Sequence, residues 1–125
     1  GGARQWTYQT CAEFAYFQTT DSNKVKLFGN GIPLDYYIQT CIAAFGPDFN
    51  QSAVAKRVSD TNSHYHAKSP TSTNVIWING AIDPWHALSV TTPMSGEIVY
   101  VADGTAHCAA MYPPSPNDLP SLVKA

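Results

Sequence analysis

Two segments constrain the fold of this chain more than any others. Asn74-Val75-Ile76-Trp77-Ile78 and Ile98-Val99-Tyr100-Val101 are continuous runs of β-branched and aromatic residues without polar alternation. A strand with one wet face alternates apolar and polar side chains. A strand buried on both faces does not, and such strands are typical of the parallel sheet of an α/β fold. Parallel neighbours need a crossover of roughly a dozen residues or more between them. The connection from Asn79 to Glu97 is long enough, and His86 to Val90 can form its short helix. The pattern predicts an α/β fold in which these are two parallel strands.

The first half reads as helical. Pro33 opens a helix at its first turn, where proline is tolerated. Tyr37, Ile38, Cys41, Ile42 and Phe45 then recur at helical spacing until Gly46-Pro47 stops them. A second short helix is expected over Gln51 to Ser59, with Val54 and Val58 inward and Lys56 and Arg57 outward. Residues Trp6 to Gln18, rich in aromatics around Cys11 and Glu13, fit either strand or helix. Asp21 to Asn30 reads as a loop, and proline-rich Met111 to Pro120 as a loop before a last helical turn.

Composition excludes several functions. Only 13% of residues are charged and the net charge is −2, which argues against an electrostatic nucleic-acid binder or a polybasic membrane anchor. No apolar run approaches the ~20 residues that span a bilayer. A hydrophobic content of 44% excludes a disordered polyelectrolyte, and 125 residues allow at most one domain. Three cysteines, Cys11, Cys41 and Cys108, are most simply one bridge plus one leftover thiol. With the Asn50-Gln51-Ser52 sequon and sparse charge, they point to a secretory or lysosomal protein. The start at Gly1-Gly2, without initiator Met or leader, reads as a cut or processed end.

In a parallel α/β sheet, functional residues gather just past the carboxyl ends of the strands. Asp83 follows the first run within Asn79-Gly80-Ala81-Ile82-Asp83-Pro84-Trp85-His86, and His107 follows the second within Asp103-Gly104-Thr105-Ala106-His107-Cys108. Acid after one strand and histidine after the next is the chain order of the α/β-hydrolase triad, whose serine comes first. The histidine removes the proton of the nucleophile, and the carboxylate orients it and stabilises its imidazolium. No G-x-S-x-G elbow occurs in this chain, so the serine is expected upstream of Gly1. The rival use of the histidines is metal binding. His64-x-His66 shares one face if extended, and His86, His107, Asp83 and Cys108 can add ligands, but no C-x-x-C or H-E-x-x-H supports it. No metal and no cofactor are expected.

Three segments carry a family resemblance. Arg4-Gln5-Trp6-Thr7-Tyr8-Gln9-Thr10-Cys11-Ala12-Glu13-Phe14 resembles a W-x-Y-Q-x-C-x-E segment, Asn79 to His86 an N-G-x-x-D-P-W block, and Ala106-His107-Cys108 a histidine block. All belong to the serine-peptidase family of lysosomal prolyl carboxypeptidase, dipeptidyl-peptidase II and thymus-specific serine peptidase. The resemblance implies that Asp83 is the triad acid and His107 the base, with a serine in an upstream G-x-S-Y-x-G elbow and a helical cap also absent here. It implies a Cys11–Cys41 disulfide, leaving Cys108 as the packed third thiol. Two positions depart from the family pattern. Ala110 stands where an acid usually follows the histidine by three, and Tyr65-His66-Ala67 where the family tends to read Y-G-G. They put activity level and local loop shape in doubt more than the reaction type.

Other residues have two readings each. Trp85 is a wall for a flat proline ring or a core tryptophan. Glu13 is a structural ion-pair partner or a site for a substrate amino terminus. His86 is read as the cap or first turn of a short helix, and Asp103 as a turn residue and second candidate for the acid. The expectation is the C-terminal portion of a serine exopeptidase of α/β-hydrolase fold, acting on peptides next to proline. Its partners are the N-terminal remainder of its own protein and a peptide substrate, with no nucleic acid or membrane; a homodimer stays open. The alternative is an inactive homologue or a non-enzymatic interaction fragment.

Overall fold

The computed structural model describes residues 2–21, 27 and 29–124. It divides into two units, 1–67 and 68–125. The loop expected over Asp21 to Asn30 lies largely outside the described residues.

The first unit is helical. Trp6 to Gln18 is helical only as far as Phe14: α1 (Ala3–Gln9) runs into a wider turn, Thr10–Phe14, closed by the Ala15 N–H donating to Thr10 O at 2.9 Å, and 15–18 lies outside any helix. In α2 (Leu34–Phe45), one orphan N–H of the first turn, that of Leu34, donates to the Asp21 carboxylate at 2.7 Å. Gly46 ends α2 at φ 97, a conformation that strains any residue with a Cβ. A short 3₁₀ turn, Pro47–Phe49, leads to Asn50, whose side chain caps α3 (Gln51–Tyr65) by accepting from the Ala53 N–H. The second helix is therefore longer than the expected Gln51 to Ser59. The polar residues of its last turns stay solvated on a helix as readily as in a loop, and left-handed His66 is what stops it.

Cys11 and Cys41, both almost fully buried, form a disulfide that ties the Thr10–Phe14 turn to α2. Beside it Ile38 and Val54 are buried, and the Tyr8, Phe45 and Phe49 rings pack at centroid distances of 5.2 to 5.8 Å. The Arg57 guanidinium lies 4.1 Å over the Phe49 ring, so its charge is held by an aromatic face. The Lys56–Asp60 ion pair is exposed on α3 and adds little.

The second unit holds both predicted strands, β1 (Val75–Gly80) and β2 (Glu97–Ala102). They pair in parallel, with Val75 opposite Glu97 and Gly80 opposite Ala102. A 3₁₀ turn, Pro84–Leu88, occupies the crossover where a short helix was expected over His86 to Val90. Buried Asn79 fixes that crossover by donating from its side chain to Val90 O at 3.0 Å. A 3₁₀ turn (Ala109–Met111) and short α4 (Pro120–Val123) complete the unit.

The expected two-sided burial is a correction. Val75, Trp77, Asn79, Glu97 and Val99 face the covered side, whereas Ile76 and Ile98 on the other face are 59% and 60% exposed. Two-sided burial needs a layer on each side of the sheet. Among the described residues of this unit the second side receives short α4, anchored by the Tyr100 hydroxyl donating to Ser121 O, and it leaves those isoleucines largely uncovered. No helix of the described residues is long and apolar enough to cross a membrane.

Closing a loop with 30 residues of separation restricts the unfolded chain by about 3–4 kcal/mol in the loop-entropy account. Cys41→Ser is therefore expected to lower the unfolding free energy of the helical unit by about that amount. Guanidinium unfolding followed by tryptophan fluorescence measures it, and an unchanged midpoint contradicts it.

Candidate active site

The site begins with a glycine. Gly80 ends β1, and a Cβ there would lie 2.5 Å from Ala106 O and 2.6 Å from Thr105 O. Only a residue without a side chain lets the exit of β1 pass so close to the exit of β2. The two exits are then laced together. The Ala81 N–H donates to Ala102 O at 3.0 Å, and the Ile82 N–H to Thr105 O at 3.1 Å. Buried Thr105 closes its own turn through its hydroxyl, which donates to Ala102 O at 2.9 Å.

This lacing sets Asp83 against His107. Pro84 keeps Asp83 extended, at φ −76 and ψ 117. The Asp83 side chain then caps the following 3₁₀ turn: Oδ1 accepts from the Trp85 N–H at 2.9 Å. Oδ2 lies 2.7 Å from His107 Nδ1. A carboxylate can only accept, so Nδ1 carries the proton and Nε2 is left with its lone pair when the ring is neutral. The Trp85 ring packs edge to face on His107 at 4.6 Å and limits how the imidazole can rotate.

Burial of Asp83 acts to raise its pKa. The hydrogen bonds from His107 and the Trp85 N–H, with positive charge on His107 and His86, outweigh it and hold the carboxyl below its ordinary value. The carboxylate thus stays charged as the medium becomes acidic.

A cleft of about 390 Å³ opens beside this pair. Asp83, Trp85, His86, His107 and Cys108 line its polar end, and Ile76 and Ile78 its apolar wall. Cys108 is a free, half-buried thiol in left-handed conformation at φ 60, turning the chain away after His107. Trp85 is half-buried and lines the cleft beside the turn it belongs to.

Other expected residues lie elsewhere. Asp103 sits in an exposed turn and its carbonyl accepts from the Ser121 hydroxyl, while His107 Nδ1 faces Asp83. Glu13 is exposed in the helical unit and makes no ion pair with another described residue. His64 lies in the last turn of α3 with its ring against Tyr65, and His66 follows in left-handed conformation, so the pair is not extended. No three metal-ligating side chains gather among the described residues. Asn50 is exposed, with its side chain engaged in the α3 cap. The sequence reading missed the place of His86 in the cleft and the role of Gly80. A glycine directly after an apolar strand was the available signal for the second.

The chain belongs to the family described as serine carboxypeptidase S28, whose model matches residues 1–125. A Caenorhabditis elegans protein assigned as a serine protease is 41% identical over 98% of this chain and 25% of its own length. Thymus-specific serine proteases of Mus musculus and Homo sapiens are each 38% identical over 97% of this chain and 23% of their own. The chain thus spans about a quarter of the length of these relatives. No solved structure matches it significantly.

Two outcomes are expected. A Gly80→Ala side chain must displace backbone carbonyls, so it should cost about 2–3 kcal/mol in urea unfolding; a neutral result would contradict the close approach. The Asp83 carboxyl should titrate below 3.8 by carbon NMR. Its contribution to stability is then complete above the unfolded value and fades as pH falls through the lower folded one. A midpoint above 3.8 contradicts this.

Proposed function

We propose that this chain is the C-terminal portion of the α/β-hydrolase domain of a secreted or lysosomal serine exopeptidase, with Asp83 as triad acid and His107 as triad base. The observation that carries the reading is the 2.7 Å contact between Asp83 Oδ2 and His107 Nδ1, made at the ends of adjacent parallel strands. Membership of a serine carboxypeptidase family supports it.

The mechanism is acyl transfer. A serine hydroxyl from upstream of this chain attacks the scissile carbonyl carbon while His107 Nε2 takes its proton. The oxyanion collapses, the C–N bond breaks, and the imidazolium returns that proton to the leaving amine. Water then attacks the acyl-enzyme with His107 again as base, releasing the new carboxylic acid and the serine. Asp83 remains ionised throughout and balances the imidazolium. The cleft's apolar wall and the Trp85 ring suit a flat proline ring, which fits cleavage next to proline. The exposed Asn50 side chain is accessible to a glycan, in keeping with a secretory route. Without the nucleophile, the isolated chain is inactive.

In the full-length protein, Asp83→Asn and His107→Ala should each lower kcat/KM on a proline-containing peptide about 10⁴-fold, by analogy with other serine triads, while secretion persists. Fluorophosphonate labelling of the serine should slow in parallel. Full turnover in both variants would overturn the assignment.

A further inference from the structure

His86 holds the acid from behind. Its Nδ1 lies 2.6 Å from the backbone oxygen of Asp83, and its own backbone N–H donates to the same oxygen at 3.1 Å. A carbonyl oxygen can only accept, so this contact requires the proton on Nδ1. A histidine side chain free in water prefers the Nε2–H tautomer, so the site selects a particular form of this ring. The two bonds use both lone pairs of the Asp83 carbonyl. With Trp85 N–H on Oδ1, His107 Nδ1 facing Oδ2 and the Asp83 N–H donating to Gly80 O at 3.2 Å, they hold one residue at five points. The ring is partly buried and lines the cleft beside the pair.

We propose that His86 is a positioning residue: its Nδ1–H grips the Asp83 carbonyl and fixes the peptide from which the carboxylate reaches His107. This rests on the triad roles proposed above. The backbone N–H bond belongs to any 3₁₀ turn, but the side-chain bond depends on residue type. It resists rotation of the Asp83 backbone, and a small rotation there would swing Oδ2 out of line with Nδ1. Misplacement of this kind lowers the rate of a catalytic step more than it weakens substrate binding.

The test uses three variants of the full-length protein. His86→Leu removes the donor. His86→Asn puts an amide N–H the same number of bonds from Cβ as Nδ1, whereas His86→Gln moves that donor one carbon further out. His86→Leu is expected to lower kcat about tenfold with KM nearly unchanged. His86→Asn should recover kcat to within about threefold of the unmodified enzyme, and His86→Gln should resemble His86→Leu. If His86→Leu is not secreted, the contrast of the Asn and Gln variants decides alone. Nitrogen NMR of the full-length protein should find the neutral His86 ring protonated at Nδ1. Unchanged kcat, a rise in KM alone, equal Asn and Gln variants, or an Nε2-protonated ring would each overturn the proposal. His107→Ala, measured alongside, separates the two questions. Turnover retained there removes the triad reading, whereas turnover lost there with unaltered His86 variants removes only this one.

Discussion

The site depends on one close approach of two backbones. Gly80 passes the Thr105 and Ala106 carbonyls at a distance that excludes a β-carbon, and the hydrogen bonds of Ala81 and Ile82 hold it there. Because the strands are parallel and in register from Val75 with Glu97 to Gly80 with Ala102, both chains leave the sheet at the same end. Asp83 then lies three residues beyond one strand and His107 five beyond the other, and their side chains meet. Loops so short, tied to rigid strands, hold catalytic geometry better than long ones do.

Electrostatics follows from that geometry. Burial alone would disfavour a charged Asp83, and a protonated acid would accept only weakly at its hydroxyl oxygen. Donors from His107 and the Trp85 N–H reverse the balance, so the carboxyl stays ionised into acidic solution. Cys108 contributes by its backbone: its left-handed conformation and the bond from the Met111 N–H to its carbonyl turn the chain sharply away. That leaves the imidazole standing at the mouth of the cleft.

Much of this was legible in the sequence, and the exceptions have physical causes. The two apolar runs marked the strands because β-branched side chains without alternation fit little else, and the connection between them was long enough for the crossover that parallel pairing needs. Asp83 and His107 were legible because strand ends are where such residues gather. The end of α3 was not, since Ser, Asn and His at exposed helical positions carry no periodic signal and only the left-handed His66 marks the stop. His86 was read as part of a short helix, because a bond from a ring to a carbonyl three residues back follows from turn geometry rather than residue pattern. Two-sided burial was read from the absence of polar alternation, and that pattern reports what a strand is built to contact.

Ile76 and Ile98 lie bare on one face of the sheet, and Ile78 on the same face joins the cleft wall. His107 at the cleft's mouth keeps about half of its side chain in water. Leaving both isoleucines about 60% exposed forgoes roughly 1–2 kcal/mol each in hydrophobic burial. A histidine in the general-base role proposed above would also work best where water is excluded and hydrogen bonds are strengthened. One covering layer on that face would meet both needs at once, burying the isoleucines and walling the imidazole. The relatives are about four times the length of this chain, and the serine proposed above would lie in such additional length. The body that would deliver the nucleophile to Nε2 is then also the body that would complete the core. Folding of this sheet and assembly of the triad would become a single event.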